Sequence, residues 1–143
     1  QTSPNDIVVL ASLWADYYLK GMHEESLEFA KAAFTVMGMA EIADVMAREY
    51  EKNGYRGAMM SAAETMAEVS KQTHVSPYFI AETYVFAEDK DKAIEWLEKA
   101  YDIRDPMMPY VGCPIFDLLD DDPRYQDMLR RMNLPPVNKK IKF

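Results

Sequence analysis

The sequence predicts an all-α protein of six helices in three antiparallel pairs, closed by one further helix. Three observations carry that expectation. A pattern of large apolar residue, Ala, two variable residues and Tyr occurs at 14–18 (WADYY), 46–50 (MAREY) and 80–84 (IAETY), at intervals of 32 and 34 residues. From each final Tyr the chain runs through a polar turn to a small residue opening the next helix: LKGMHEE before Ser26, EKNGYRG before Ala58 and VFAEDKDK before Ala93. No stretch shows the apolar–polar alternation of a half-buried strand. A period of this length suits a helical hairpin that buries its apolar stripe against the next copy.

In the first pair, Asn5 or Asp6 is the expected N-cap. The buried stripe reads Ile7, Leu10, Ala11, Trp14, Tyr17 and Tyr18, and Gly21 ends the helix. The second helix carries Leu27, Ala30, Ala33, Phe34 and Met37 and closes at Gly38. In the second pair, Ile42, Ala43, Met46, Ala47 and Tyr50 form one stripe, which stops at the turn dipeptide Asn53-Gly54. Met59, Ala62, Ala63, Met66 and Ala67 form the next, and a polar segment from Lys71 to Val75 follows. In the third pair, Ser76 is an N-cap and Pro77 occupies the first helical position, where a missing N–H costs nothing. Ile80, Ala81, Tyr84 and Val85 face Ala93, Leu97, Ala100 and Tyr101 across the turn 88–92, with small Ala81 and Ala93 permitting close approach. Beyond Pro106 the pattern changes. Pro106, Pro109 and Pro114 punctuate a loop holding the apolar piece Ile115 to Leu119. Asp122-Pro123 then starts a helix with Tyr125, Met128, Leu129 and Met132 on its buried edge and Arg130-Arg131 at its C-terminal end. The repeats are placed at about 7–38, 39–73 and 74–106, with a cap at 107–135 and a basic tail at 136–143, all in one domain.

Composition narrows function by exclusion. The 143 residues carry a formal net charge of −8, which opposes binding to nucleic acid or to an anionic membrane surface. No apolar run approaches a membrane span, and no signal-peptide core opens the chain. The one cysteine, Cys113, cannot form an internal disulfide and suits a reducing compartment, so a cytoplasmic location is expected. A first residue of Gln points to a processed chain or an excised piece. Eleven Met read as adaptable core filler between helices.

No catalytic constellation emerges, and no enzyme activity, cofactor or metal is expected. His23 and His74 both fall in turns with no paired ligand and read as surface residues. Cys113 has no neighbouring His, and Asp120-Asp121-Asp122 lacks calcium-loop spacing and reads as helix capping. Trp14, Tyr17, Tyr18, Tyr50, Tyr84 and Tyr101 read as core. Trp96, flanked by Glu95, Glu98 and Lys99, reads as an edge residue packing on Ile115 and Phe116.

The stretch from Ser76 to Pro106 resembles one tetratricopeptide (TPR) repeat. Ala81 and Ala93 stand at its eighth and twentieth positions, Tyr84 at the eleventh, Ala100 at the twenty-seventh and Pro106 just past the end. Pro77 replaces a common Trp and Ala81 a common Gly. The run from Ala93 to Pro106, with Asp122, Pro123, Arg124, Tyr125, Leu129, Arg130, Arg131 and Met132, resembles the C-terminal TPR segment of bacterial multidomain regulators. In that group such segments accompany winged-helix, nucleotide cyclase or protein kinase domains. The resemblance implies a right-handed superhelix whose first helices line a concave groove. Three positions per repeat would face it: Ser12, Asp16 and Leu19; Asp44, Arg48 and Glu51; Tyr78, Glu82 and Val85. It also implies a non-catalytic scaffold binding a protein segment. Four acids against one base favour a basic or amphipathic segment over a C-terminal carboxylate. Self-association of a signalling or transcription regulator is the alternative, because three repeats leave an apolar flank that a second copy would cover.

Overall fold

Among the described residues, four of the six α-helices begin at a residue whose side chain caps them. The structure is a computed structural model describing residues 6–137. They form α1 (Ile7–Leu19), α2 (His23–Val36), α3 (Ala40–Val69), α4 (Pro77–Phe86), α5 (Lys90–Asp102) and α6 (Pro123–Arg131), with 3₁₀ segments at Met108–Tyr110 and Pro114–Leu119. No strand occurs among the described residues, and no helix among them is long and apolar enough to cross a membrane. The all-helical class is as expected; part of the tail, 138–143, and Asn5 lie outside the described residues.

Capping follows the sequence signals. Asp6, Ser76, Asp89 and Asp122 each accept a backbone N–H of the first turn of α1, α4, α5 and α6 through the side chain. Helices α1, α2, α4, α5 and α6 close with the same pair of reversed hydrogen bonds, as where Gly21 N–H reaches Tyr18 O and Met22 N–H reaches Tyr17 O, both at 2.9 Å. The residue in the left-handed conformation there is Gly21 (φ 74°), Gly38 (80°), Glu88 (60°), Arg104 (57°) or Asn133 (58°).

The second pair departs from expectation. The anticipated turn 51–57 is a single residue: Gly54, at φ 72° and ψ −167°, breaks α3, and helix resumes at once. Between Gly54 and Ala58 the chain has one residue fewer than between Gly21 and Ser26, so no loop fits. Tyr55, expected in that turn, is helical and buried. Gly57 permits the sharp re-entry, because a Cβ there would run into the Cβ of Asn53.

Packing proceeds from α1 to α2, α2 to α3, α3 to α4 and α4 to α5. The aromatic core also reaches further. The Trp14 ring of α1 stacks on Phe86 of α4 at 4.5 Å and meets Phe79 edge-on at 6.0 Å. Tyr18 meets Phe86 at 4.9 Å. A linear stack, in which each unit touches only its neighbours, does not require these contacts. They tie the first pair to the third.

The C-terminal segment is joined to α5 by ion pairs. Arg124 pairs with Asp91 and Arg131 with Glu98, each 33 residues apart, so α6 runs in the same direction as α5. Arg131 also lies over the Tyr101 ring at 4.6 Å. Between α5 and α6 the two 3₁₀ segments carry Pro109 and Pro114 in their first turns, so no helix runs continuously through this stretch.

Candidate functional site

The nine expected groove residues fall on α1, the first part of α3, and α4. Within each helix their spacings of four and three residues put them on one face. Ser12, Asp16, Leu19, Asp44, Arg48 and Glu51 are exposed. Tyr78 and Val85 are not: they are 3% and 0% exposed, so neither is open to a peptide in this structure. The second 3₁₀ segment packs on α4. The Tyr78 ring meets Phe116 edge-on at 5.5 Å, and its hydroxyl donates to the Tyr110 carbonyl at 3.2 Å. Burial pushes this phenol far above the ordinary tyrosine range. Glu82, one turn further along α4, is half-buried, and burial lifts its carboxyl to about 7.

The strap over Tyr78, formed by residues 107–120, is itself anchored. Phe116 lies between Tyr78 and Tyr125, whose ring centroids are 5.5 Å and 6.5 Å away. Tyr125 donates to the Val111 carbonyl at 2.8 Å. At the strap's root, buried Asp105 accepts from the Ser76 hydroxyl at 2.6 Å, the Tyr78 N–H at 3.3 Å and the Met107 N–H at 3.0 Å. This carboxylate sits at the N-terminus of α4, where the helix dipole favours negative charge. Phe116 thus meets Tyr78 and Tyr125 in ring contact, whereas half-buried Trp96 has Lys99 over its ring at 3.9 Å.

At the opposite end of the core three polar groups close a ring. Trp14 Nε1–H donates to the Tyr55 hydroxyl at 3.0 Å, and Ser26 Oγ donates to the Trp14 carbonyl at 2.9 Å. That leaves Tyr55 as donor to Ser26 Oγ at 2.7 Å. Each donor is used once, as buried polar groups require. Exposed His23, expected as a surface residue, stacks its ring on Tyr55 at 4.6 Å.

Sequence reasoning missed Tyr55, Ser26 and Asp105 as structural centres. Tyr55 carried a signal, a large aromatic directly after a turn glycine. For Asp105 the only cue was its place ahead of a proline. Asp122 caps α6 through Arg124 N–H at 2.9 Å, and the Arg124 guanidinium holds its carboxyl below the usual range. No group of three His, Cys, Asp or Glu that could hold a metal occurs among the described residues. Clefts of about 650 Å³, beside Arg104, Pro106 and Arg131, and about 430 Å³, beside Asp120 and Leu134, include none of the nine expected residues.

Comparison with family models, curated proteins and solved structures returned no match to this chain.

Proposed function

We propose that the chain is a non-catalytic, TPR-like helical-repeat module that binds a basic or amphipathic protein segment, in the manner of a regulatory part of a larger bacterial protein. The observation that carries this reading is the set of exposed acidic side chains on α1 and on the first part of α3. There Asp16, Asp44 and Glu51 outnumber Arg48, with Ser12 and Leu19 alongside. The left-handed turn residues Gly21, Gly54 and Glu88, spaced 33 and 34 residues apart, support a repeating hairpin. An acidic face of this kind accelerates encounter with a basic segment, and its effect weakens with salt. Relative to the sequence expectation fewer of the nine residues are open to a partner, because Tyr78 and Val85 belong to the core.

The test is a peptide array probed with the wild-type chain and with Asp16→Lys/Asp44→Lys. Both positions are exposed, so the fold should be unaffected. Basic peptides should dominate the wild-type signal and fall away in the double variant. Retention of those peptides, or a preference for acidic tails, overturns the reading.

Self-association is a second reading, favoured by exposed apolar residues on the first pair: Val8 (70%), Leu19 (54%), Met22 (40%) and Val36 (46%). Val8 and Leu19, eleven residues apart, share one face of α1. Light scattering coupled to size-exclusion chromatography should report a dimer that Val8→Ser/Leu19→Ser dissociates; a monomer at all concentrations removes this reading.

A further inference from the structure

Glu82 differs from every other acidic side chain that the fold partly covers. Asp105, Glu49, Glu98 and Asp122 accept hydrogen bonds from Ser76, Asn53, Arg131 and Arg124, while Asp6 and Asp89 cap helices. Asp117 and Asp120 are also engaged. Among the described residues only Glu82 is both withdrawn from full exposure and without a hydrogen bond or ion pair. Its oxygens still touch solvent, since no fully buried side-chain oxygen lacks a partner. The titratable group beside it on α4 is Tyr78, which faces Cys113 and Tyr125 across the strap. None of these is a cation. A carboxylate held in this way is costly to ionise and gains most from an incoming opposite charge.

We propose that Glu82 is the anchor for a cationic side chain, a Lys or Arg of the bound segment, so that this salt bridge is completed only when a partner docks. The inference rests on the binding-module reading and deepens it. The acidic residues Asp16, Asp44 and Glu51 supply exposed, screened attraction; Glu82 supplies a partly desolvated point where one positive charge is recognised. Because burial holds the Glu82 carboxyl near 7, the anchor ionises as pH rises through that value. Binding strengthens in the same direction.

The experiment uses the full chain and the peptide acetyl-Leu-Lys-Leu-Lys-Leu-amide, with its Glu-for-Lys counterpart as control. Affinity is measured at pH 5.5 and pH 8, and the Glu82 carboxyl is followed by carbon NMR. The wild-type chain should bind the lysine peptide about tenfold more tightly at pH 8, and saturating peptide should lower the Glu82 titration midpoint. Glu82→Gln, a near match for the protonated carboxyl, should keep the fold, lose most of that gain and show a flat pH profile. Equal affinity of Glu82→Gln and wild type at pH 8, or a Glu82 midpoint unmoved by saturating peptide, overturns the proposal. If array peptides are lost in Asp16→Lys/Asp44→Lys but bind Glu82→Gln unchanged, the module reading stands and the anchor falls. If no basic peptide binds, both fall.

Discussion

Helices α1 and α4 carry the same large-Ala-x-x-Tyr pattern, yet they live in different surroundings. In α1 two of 13 residues, Leu10 and Trp14, are buried. In α4 eight of 10 are buried. The pattern specifies the contact between the helices of a hairpin, which both have. It does not specify what lies on the remaining faces. Beyond its partner α2, α1 touches the rest of the core chiefly through Trp14 and Tyr18, whereas α4 packs on α3, α5 and the strap. The expected binding row is therefore open on α1 and mostly closed on α4.

The sharpest way to break this contrast is truncation after Asp105, which uncovers α4 and removes Val111, Ile115, Phe116, Leu119, Tyr125, Met128 and Leu129, all buried. At about 1.5–3 kcal/mol for each large apolar side chain, the loss is comparable to the whole stability of an ordinary domain. Insoluble protein, or no cooperative melt by circular dichroism, is expected. A monomeric chain with unchanged melting would contradict the strap's role. Asp105→Ala removes one side chain from the strap's root and should cost about 3 kcal/mol in urea unfolding, because it orphans donors at the start of α4. A paired substitution sharpens the comparison next. Ala81→Leu overfills a fully buried position on α4 and should cost about 1–3 kcal/mol, whereas half-buried Ala15→Leu on α1 should stay within about 0.5 kcal/mol. Equal costs would show that the two helices are equally enclosed.

Glu82 adds a pH signature. Its folded carboxyl titrates near 7, above its ordinary value of 4.5, so the folded state holds the proton more tightly than the unfolded chain does. This contribution is fully present below about pH 4.5 and is lost as pH rises to about 7. Glu82→Gln should accordingly match wild type at pH 4 and exceed it by about 1–2 kcal/mol at pH 8 in the absence of peptide. The smallest effect belongs to the turn after α4. Glu88 holds a φ of 60° and forms a surface ion pair with Arg56 at 3.2 Å. Glu88→Gly should gain about 0.5 kcal/mol, since relief of the backbone outweighs an exposed pair.

Helix positions were legible in the sequence because capping and spacing are local. Ser76-Pro77 and Asp122-Pro123 each begin a helix where their chemistry says they should. Gly54 was read as a turn but not as a one-residue break, since counting residues up to the next small side chain hid the missing position. Ser12, Asp16, Leu19, Asp44, Arg48 and Glu51, assigned through the repeat resemblance, are exposed. The burial of Tyr78 was not legible, because it depends on a strap more than twenty residues away in sequence; Val85 is likewise buried. Such a long-range contact leaves no periodic trace. Asp105 was hidden for the same reason.

The two tryptophans stand in different environments, and that makes the chain its own optical probe. Trp14 is fully buried among Phe34, Phe79 and Phe86 with its indole N–H bonded to Tyr55. Trp96 lies half-buried on α5 beneath the Lys99 ammonium. Their emission should differ in colour and in access to a quencher such as iodide. A denaturant series read at the blue and red edges of the spectrum would then tell whether the two ends of the chain melt in one step. Replacing Trp96 with Phe would leave a single lamp inside the aromatic core that joins the first pair to the third.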